Sequence, residues 1–184
     1  MQEKFDVLNE LGEFTGKTAT RDECHSKGLW HRAVYAFIID KNSNVLLQKR
    51  SANKKLWPNK WDVTVGGHLN AGEIGRQALK RECKEELGLD ISDSEIKFIV
   101  CTRSVYNKNG YINNHYDECY LITKDVDVND LKLQEEEVSD IKYFSREEVI
   151  RRIDNNYDEL TEKTVAWPIL KKLLKDNILF ELKK

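Results

Sequence analysis

Three glutamates, Glu82, Glu85 and Glu86, follow one another at spacings i, i+3 and i+4, with Arg81 directly before them and Glu73 upstream. On a helix turning about 100° per residue, these acids fall within an arc of about 100° on one face. Leu79, Cys83 and Leu87 make the apolar stripe beside them, which should face a core. Carboxylates crowded on one face repel one another and call for a counter-charge. Lys80, Arg81 and Lys84 could supply it through surface pairs worth a few tenths of a kcal/mol each. A divalent cation is the other supplier. Hard oxygen ligands suit Mg²⁺ or Mn²⁺, which in turn bind phosphate oxygens.

Other residues could serve the same chemistry. The stretch Lys49 to Lys55 places four cations shortly before the acids. Within it Arg50 could grip a phosphate bidentately and Lys54 could act as a point charge, although a solubilising loop would look the same. A general base could be Glu85 or a member of Glu135-Glu136-Glu137; such acid runs are also common as solvated loops. Trp30, Trp57 and Trp61 could stack on a base, with burial expected for at least two of them.

The order of residues is more telling than their number. A glycine (Gly67), five residues, Glu73, seven residues, then Arg81-Glu82-Cys83-Lys84-Glu85-Glu86-Leu87-Gly88-Leu89 resembles the Nudix box at every fixed position. The resemblance implies an α/β/α sandwich with a mixed sheet and a metal-dependent pyrophosphohydrolase acting on a small organic diphosphate, a nucleoside diphosphate linked to another group among the candidates. It also implies roles. Glu82 and Glu86 are the principal metal ligands, Glu85 is a ligand or water partner, and the Gly67 carbonyl completes the shell. Arg81 and Glu73 form an ion pair locking the loop against the helix.

From Leu29 to Glu73, the segments LWHRA and KRSANKKLWPNKWDVTVGGHLNAGE also resemble type I isopentenyl-diphosphate isomerases, which share the Nudix fold. By that resemblance Arg50 and Lys54 hold the substrate diphosphate. His25, His31 and His68 align with histidines that bind a metal, helped by acids such as Asp117 or Glu118, and His115 is expected to be a packed or surface residue. One departure separates the two activities. The isomerase's acid/base cysteine falls at Gly66, which has no proton to give. With the box intact, hydrolysis is the expected chemistry, ahead of isomerisation or of a binding module without turnover.

The elements that must carry these residues follow from pattern. The runs 5–11 and 13–19 read as an N-terminal hairpin, 21–28 as a loop, and Ala33 to Ile39 as a buried strand partnered by Val45 to Gln48. A short strand at 61–65 precedes the box helix, which should begin near Glu73 or Ile74. Strands at 96–105 and 115–122 are joined across Asn107-Lys108-Asn109-Gly110. Asp125 to Glu137 reads as loop, 141–144 as a strand, and Ser145-Arg146-Glu147-Glu148 as the cap of a helix to about Ile153. A last helix, 164–175, has Pro168 in its first turn.

All 184 residues are expected in one domain: an extension over 1–28, a core over 29–148 with the box at 67–89, and C-terminal helices over 149–184. With 34% charged residues, 40% hydrophobic residues and a net charge of −2, there is no call for a nucleic-acid polymer or membrane surface as partner. No signal peptide or spanning segment is evident, and the four cysteines lack C-x-x-C spacing, so free thiols in the cytoplasm are expected. The hairpin could dock on a second copy and make a homodimer.

Overall fold

Alternation along one strand decides the layering. The strand β3 (His31–Ile39) sits mid-sheet, and its odd and even residues enter different cores. Tyr35, Phe37 and Ile39 pack with Phe144, Val149, Trp167 and Leu170; Val34, Ala36 and Ile38 pack with Ala78, Leu79, Cys83 and Leu87. The computed structural model describes residues 2–108, 110–155, 158–162 and 165–176.

Before β3 come β1 (Lys4–Leu8), β2 (Phe14–Thr20) and α1 (Arg21–Lys27), and after it β4 (Val45–Arg50), β5 (Trp61–Asp62) and β6 (Val65–His68). The box helix α2 (Gly75–Leu87) leads to β7 (Ile96–Lys108), β8 (Tyr111–Thr123), β9 (Val138–Phe144), α3 (Arg146–Asp154) and α4 (Ala166–Lys175). β1 and β2 form their own antiparallel pair. The main sheet runs β5-β4-β3-β8-β7, with β6 also pairing β3 and β9 pairing β4. β3 and β8 are parallel and the other pairs antiparallel, so the sheet is mixed. With α2 on one face and α3 and α4 on the other, this is the expected α/β/α sandwich.

α2 owes its seat to the apolar stripe. Leu79, Cys83 and Leu87 are fully buried, at about 1.5–3 kcal/mol for each leucine. The helix stops at Gly88, whose φ of 65° is the left-handed cap that glycine adopts without strain.

Several boundaries differ from the sequence reading. Residues 21–27 are a helix rather than a loop: Thr20 accepts from Glu23 N while the Glu23 carboxylate takes Thr20 N, a reciprocal cap. The strand expected over 61–65 splits into β5 and β6. Between them the Thr64 hydroxyl accepts from Ile38 N and donates to Leu46 O, replacing backbone ladder bonds. β7 and β8 run further than expected, to a close pair at Lys108 and Tyr111. Asn109 of that turn, Thr164 of the last helix and 177–184 of the C-terminal helices lie outside the described residues.

The hairpin β1–β2 is used within its own chain. Leu8 N donates to Trp30 O at 2.8 Å, Ala71 N to Lys4 O at 2.8 Å and Gly72 N to Asp6 Oδ2 at 2.8 Å. These bonds fasten it to the core beside the box.

Candidate active site

The acids of α2 are set by helix geometry on the side toward β6. Glu86 is 6% exposed, and its Oε2 accepts from Gln48 Nε2 at 3.0 Å. Burial, together with the charges of Glu82 and Glu137, pushes the Glu86 carboxyl up to about 8. Glu82 is also raised, chiefly by burial, against the pull of Arg81. Glu85 is different: its side chain is half-exposed and bound to Arg81. Such a cluster holds its charge poorly without a cation.

Arg81 organises the loop ahead of the helix. Its Nε and Nη2 donate to the two carboxylate oxygens of Glu73 at 3.0 and 2.9 Å, the bidentate pair expected from the box. Nη1 reaches Glu82 Oε1 at 2.7 Å and Glu85 Oε2 at 3.1 Å, and Nη2 also takes the His68 carbonyl at 2.8 Å. One guanidinium thus ties the loop, the helix and β6 together. The glycine at 67 leaves room for the Glu82 carboxylate, which a Cβ there, 2.0 Å from Glu82 Oε1, would displace.

Glu82, Glu85, Glu86 and Gly67 line a cavity of about 290 Å³ together with Arg50, Lys54 and Glu137. Of the acids 135–137, Glu137 is the one on this wall, paired with Lys54, while Glu135 and Glu136 are exposed. Arg50, expected to grip phosphate, stands on this wall with donors engaged inside the protein. Its Nε and Nη2 donate to Leu56 O at 3.1 and 3.0 Å and its Nη1 to the buried Asp62 at 3.2 Å, so it holds the loop closed. Trp30 and Trp61 are buried as expected of two tryptophans, and Trp57 lies on the cavity wall.

The histidines gather next to these acids, with His68 and His115 on the wall of the same cavity. His31 on β3 is directly paired with His115 on β8, and His68 on β6 is opposite Ala33, so all three share one face of neighbouring strands. α1 brings His25 over them. One nitrogen from each of the four lies within 4.8 Å of the others. His25 Nδ1 is 3.1 Å from Ile112 O, His31 Nδ1 2.8 Å from Leu29 O, and His115 Nδ1 3.5 Å from Asp117 Oδ1. With Nδ1–H donating to these oxygens, the Nε2 lone pair of each of these three rings is left free to bind a metal. All four Nε2 atoms are buried without a hydrogen-bond partner. Burial is the main cause that lowers His25 to about 4, His31 to about 3, and His68 well below the usual range, leaving neutral rings. Phe5 stacks on His31 and His68, and Tyr111 on His25. Four imidazoles brought this close together fit a transition metal better than Mg²⁺. His115, expected to be a packed or surface residue, completes the group; the signal for it was the parallel register with His31, which the sequence does not display.

A model of the NUDIX domain matches residues 29–164, most of the chain. The chain belongs to the Nudix hydrolases. It is therefore a hydrolase acting on phosphoric anhydrides, in a family whose enzymes generally use divalent metal ions and small-molecule substrates. An uncharacterised Nudix hydrolase of Listeria innocua is 40% identical over 149 residues, covering 80% of this chain and 82% of the relative. An isopentenyl-diphosphate Delta-isomerase of Escherichia coli is 28% identical over 149 residues, covering 80% of each. The crystal structure of DR0079 from Deinococcus radiodurans shares the fold at a TM-score of 0.66 and 22% identity, over 95% of this chain and 98% of that one. Among the described residues, no helix is long and apolar enough to cross a membrane.

Proposed function

We propose that this Nudix hydrolase is a metal-dependent pyrophosphohydrolase that cleaves a phosphoric anhydride in a small organic diphosphate by attack of water at phosphorus. The convergence of partly buried Glu82 and buried Glu86 with Glu137 on one cavity wall carries this reading. Glu82 and Glu86 would hold Mg²⁺ or Mn²⁺, with Glu85 and the Gly67 carbonyl as further ligands. A divalent ion there supplies neutralisation of phosphate oxygens and acidifies water. Lys54 steadies the phosphate by charge, Arg81 and Glu73 keep the loop and helix in register, and Glu137 is the base that takes a proton from the attacking water. Arg50 supports the substrate side by shaping the loop that carries Lys54.

We further assign His25, His31, His68 and His115 to a second metal centre of transition-metal character. The buried, unpartnered Nε2 atoms support it. Metal analysis of purified wild type against His31→Asn is the direct test.

Isomerisation is the second reading, favoured by the histidines and by the relative from Escherichia coli. The cavity wall weighs against it: Gly66 lines it where the isomerase carries its cysteine, and none of the described lining residues is a cysteine. The unpaired state of the cysteines supports a reducing compartment such as the cytoplasm.

A screen of nucleoside diphosphate derivatives, dinucleoside polyphosphates and isopentenyl diphosphate, with Mg²⁺, Mn²⁺ or chelator, tests the main reading. Metal-dependent release of phosphate or a mononucleotide is expected. Silence on every anhydride, with conversion of isopentenyl to dimethylallyl diphosphate, would replace it by isomerisation.

A further inference from the structure

Strand β4 turns polar while it is still buried. Val45, Leu46 and Leu47 are sealed from solvent, and Gln48 follows them, also buried, with its backbone fixed between Asp62 of β5 and Ile141 of β9. Leu46, two residues earlier and on the same face of the strand, packs in the core under α2. A buried amide is costly unless it is hydrogen-bonded, so its partner explains its presence. That partner is Glu86, whose Oε2 accepts from Gln48 Nε2 at 3.0 Å.

The acids around the cavity are held in two different ways. Arg81 binds Glu73, Glu82 and Glu85 through its guanidinium, and Lys54 binds Glu137. Each of those contacts steadies a carboxylate and also offsets part of its charge. Glu86 makes no ion pair among the described residues. The charge of Lys54 reaches it, but the ammonium itself is taken by Glu137. Glu86 is therefore held by a neutral donor. An amide N–H fixes the carboxylate through one oxygen and leaves its net charge intact. A cation in the same place would hold the carboxylate equally well, but would compete with any ion arriving to bind it.

We propose that Gln48 is a positioning residue for the divalent ion: its amide sets the Glu86 carboxylate in place while preserving the charge that the ion needs. The proposal rests on the pyrophosphohydrolase reading, which makes Glu86 a metal ligand. Two properties of the side chain matter, a donor that reaches Glu86 and the absence of charge. Two substitutions separate them. Methionine keeps the volume and removes the donor; lysine keeps a donor and adds the charge.

Calorimetric titration of the full chain with Mg²⁺, which imidazole binds poorly, reports on the acids alone. Gln48→Met should weaken Mg²⁺ binding about tenfold or more, as loss of an outer partner does at metal sites. Gln48→Lys should weaken it further still, although its ammonium restores a bond to Glu86 and the variant melts no lower than Gln48→Met without metal. Leu46→Val, a packing change on the same face of β4, should lower the melting temperature without moving Mg²⁺ affinity, which separates lost stability from lost positioning. Unchanged Mg²⁺ affinity in Gln48→Met, or a Gln48→Lys variant that binds Mg²⁺ as wild type does, would overturn the proposal. Glu86→Gln keeps the two failures apart. If it abolishes Mg²⁺ binding while Gln48→Met leaves binding unchanged, Gln48 fails alone and Glu86 remains a ligand. If Glu86→Gln itself binds Mg²⁺ as wild type does, the metal reading falls and the positioning role falls with it.

Discussion

Strand β6 has a different kind of cluster on either side. Toward α2 are Glu82 and Glu86, one turn apart on the helix, whose burial raises their proton affinity. On the other side are four imidazoles drawn from α1, β3, β6 and β8, and burial keeps those of His25, His31 and His68 neutral. Burial thus acts in opposite senses. It raises the proton affinity of Glu86, so that a proton competes with any cation at the acids, and lowers that of His25 and His31, where a proton scarcely competes. The donors then sort the cations: oxygen for Mg²⁺ or Mn²⁺, imidazole for a transition metal.

The sharpest way to break this comparison is to remove one cluster and measure both. Glu86→Gln should lower metal-dependent kcat by about a hundredfold or more while leaving the transition-metal content unchanged. His31→Asn should do the reverse, abolishing bound transition metal in elemental analysis while titratable Mn²⁺ binding at the acids persists. Loss of both metals in either variant would mean the clusters form one site.

A pH series on metal-free protein should show the opposed burial directly. Protons that the unfolded chain takes up below the ordinary histidine value of 6.5 are refused by His25 and His31 until about 4 and 3. Their contribution to stability is present above 6.5 and is lost as the pH falls toward those values. Glu86, raised from 4.5 to about 8, keeps a proton that the unfolded chain releases, so its contribution is present below 4.5 and is lost as the pH rises toward 8. The melting temperature should peak between about pH 6 and 7. Saturating Mg²⁺ should flatten the alkaline side alone; a curve unchanged by Mg²⁺ would remove Glu86 from the metal site.

Smaller effects belong to the cation loop. Lys54→Ala should raise KM several-fold with little change in melting temperature. Arg50→Ala should lower stability by about 2 kcal/mol through its lost charged hydrogen bonds, read by chemical denaturation, and raise KM with it. If Arg50→Ala altered KM at unchanged stability, the guanidinium would be a phosphate contact after all.

The two clusters were unequally legible. Glu73, Arg81, Glu82, Glu85 and Glu86 lie in one contiguous run, so helical periodicity and spacing sufficed to put the acids together. The apolar stripe of Leu79, Cys83 and Leu87 was readable for the same reason. The fourth histidine was not, because His31 and His115 meet through a parallel pairing of strands 84 residues apart, a register that no local pattern encodes. Glu137 stood out from its neighbours only once β9 fixed which acid turns inward. The missed helix α1 was legible after all: Thr20 and Glu23 spell a reciprocal cap, and the polar composition of 21–27 concealed it. Nor does charge alone reveal that Arg50, offered as a phosphate grip, also donates to the Leu56 carbonyl and to Asp62.

The hairpin that grips residues 71 and 72 bears on where this protein may be cut. The family match begins at residue 29, yet His25 belongs to the imidazole group, Phe5 covers two of its members, and Glu3 and Arg21 stand on the cavity wall. A protein shortened to the matched segment would keep every residue of the box and still lose one of the four imidazoles and the lid over two others. The boundary of common ancestry and the boundary of the working unit are different lines on this chain, and truncation for expression, tagging or domain fusion should respect the second.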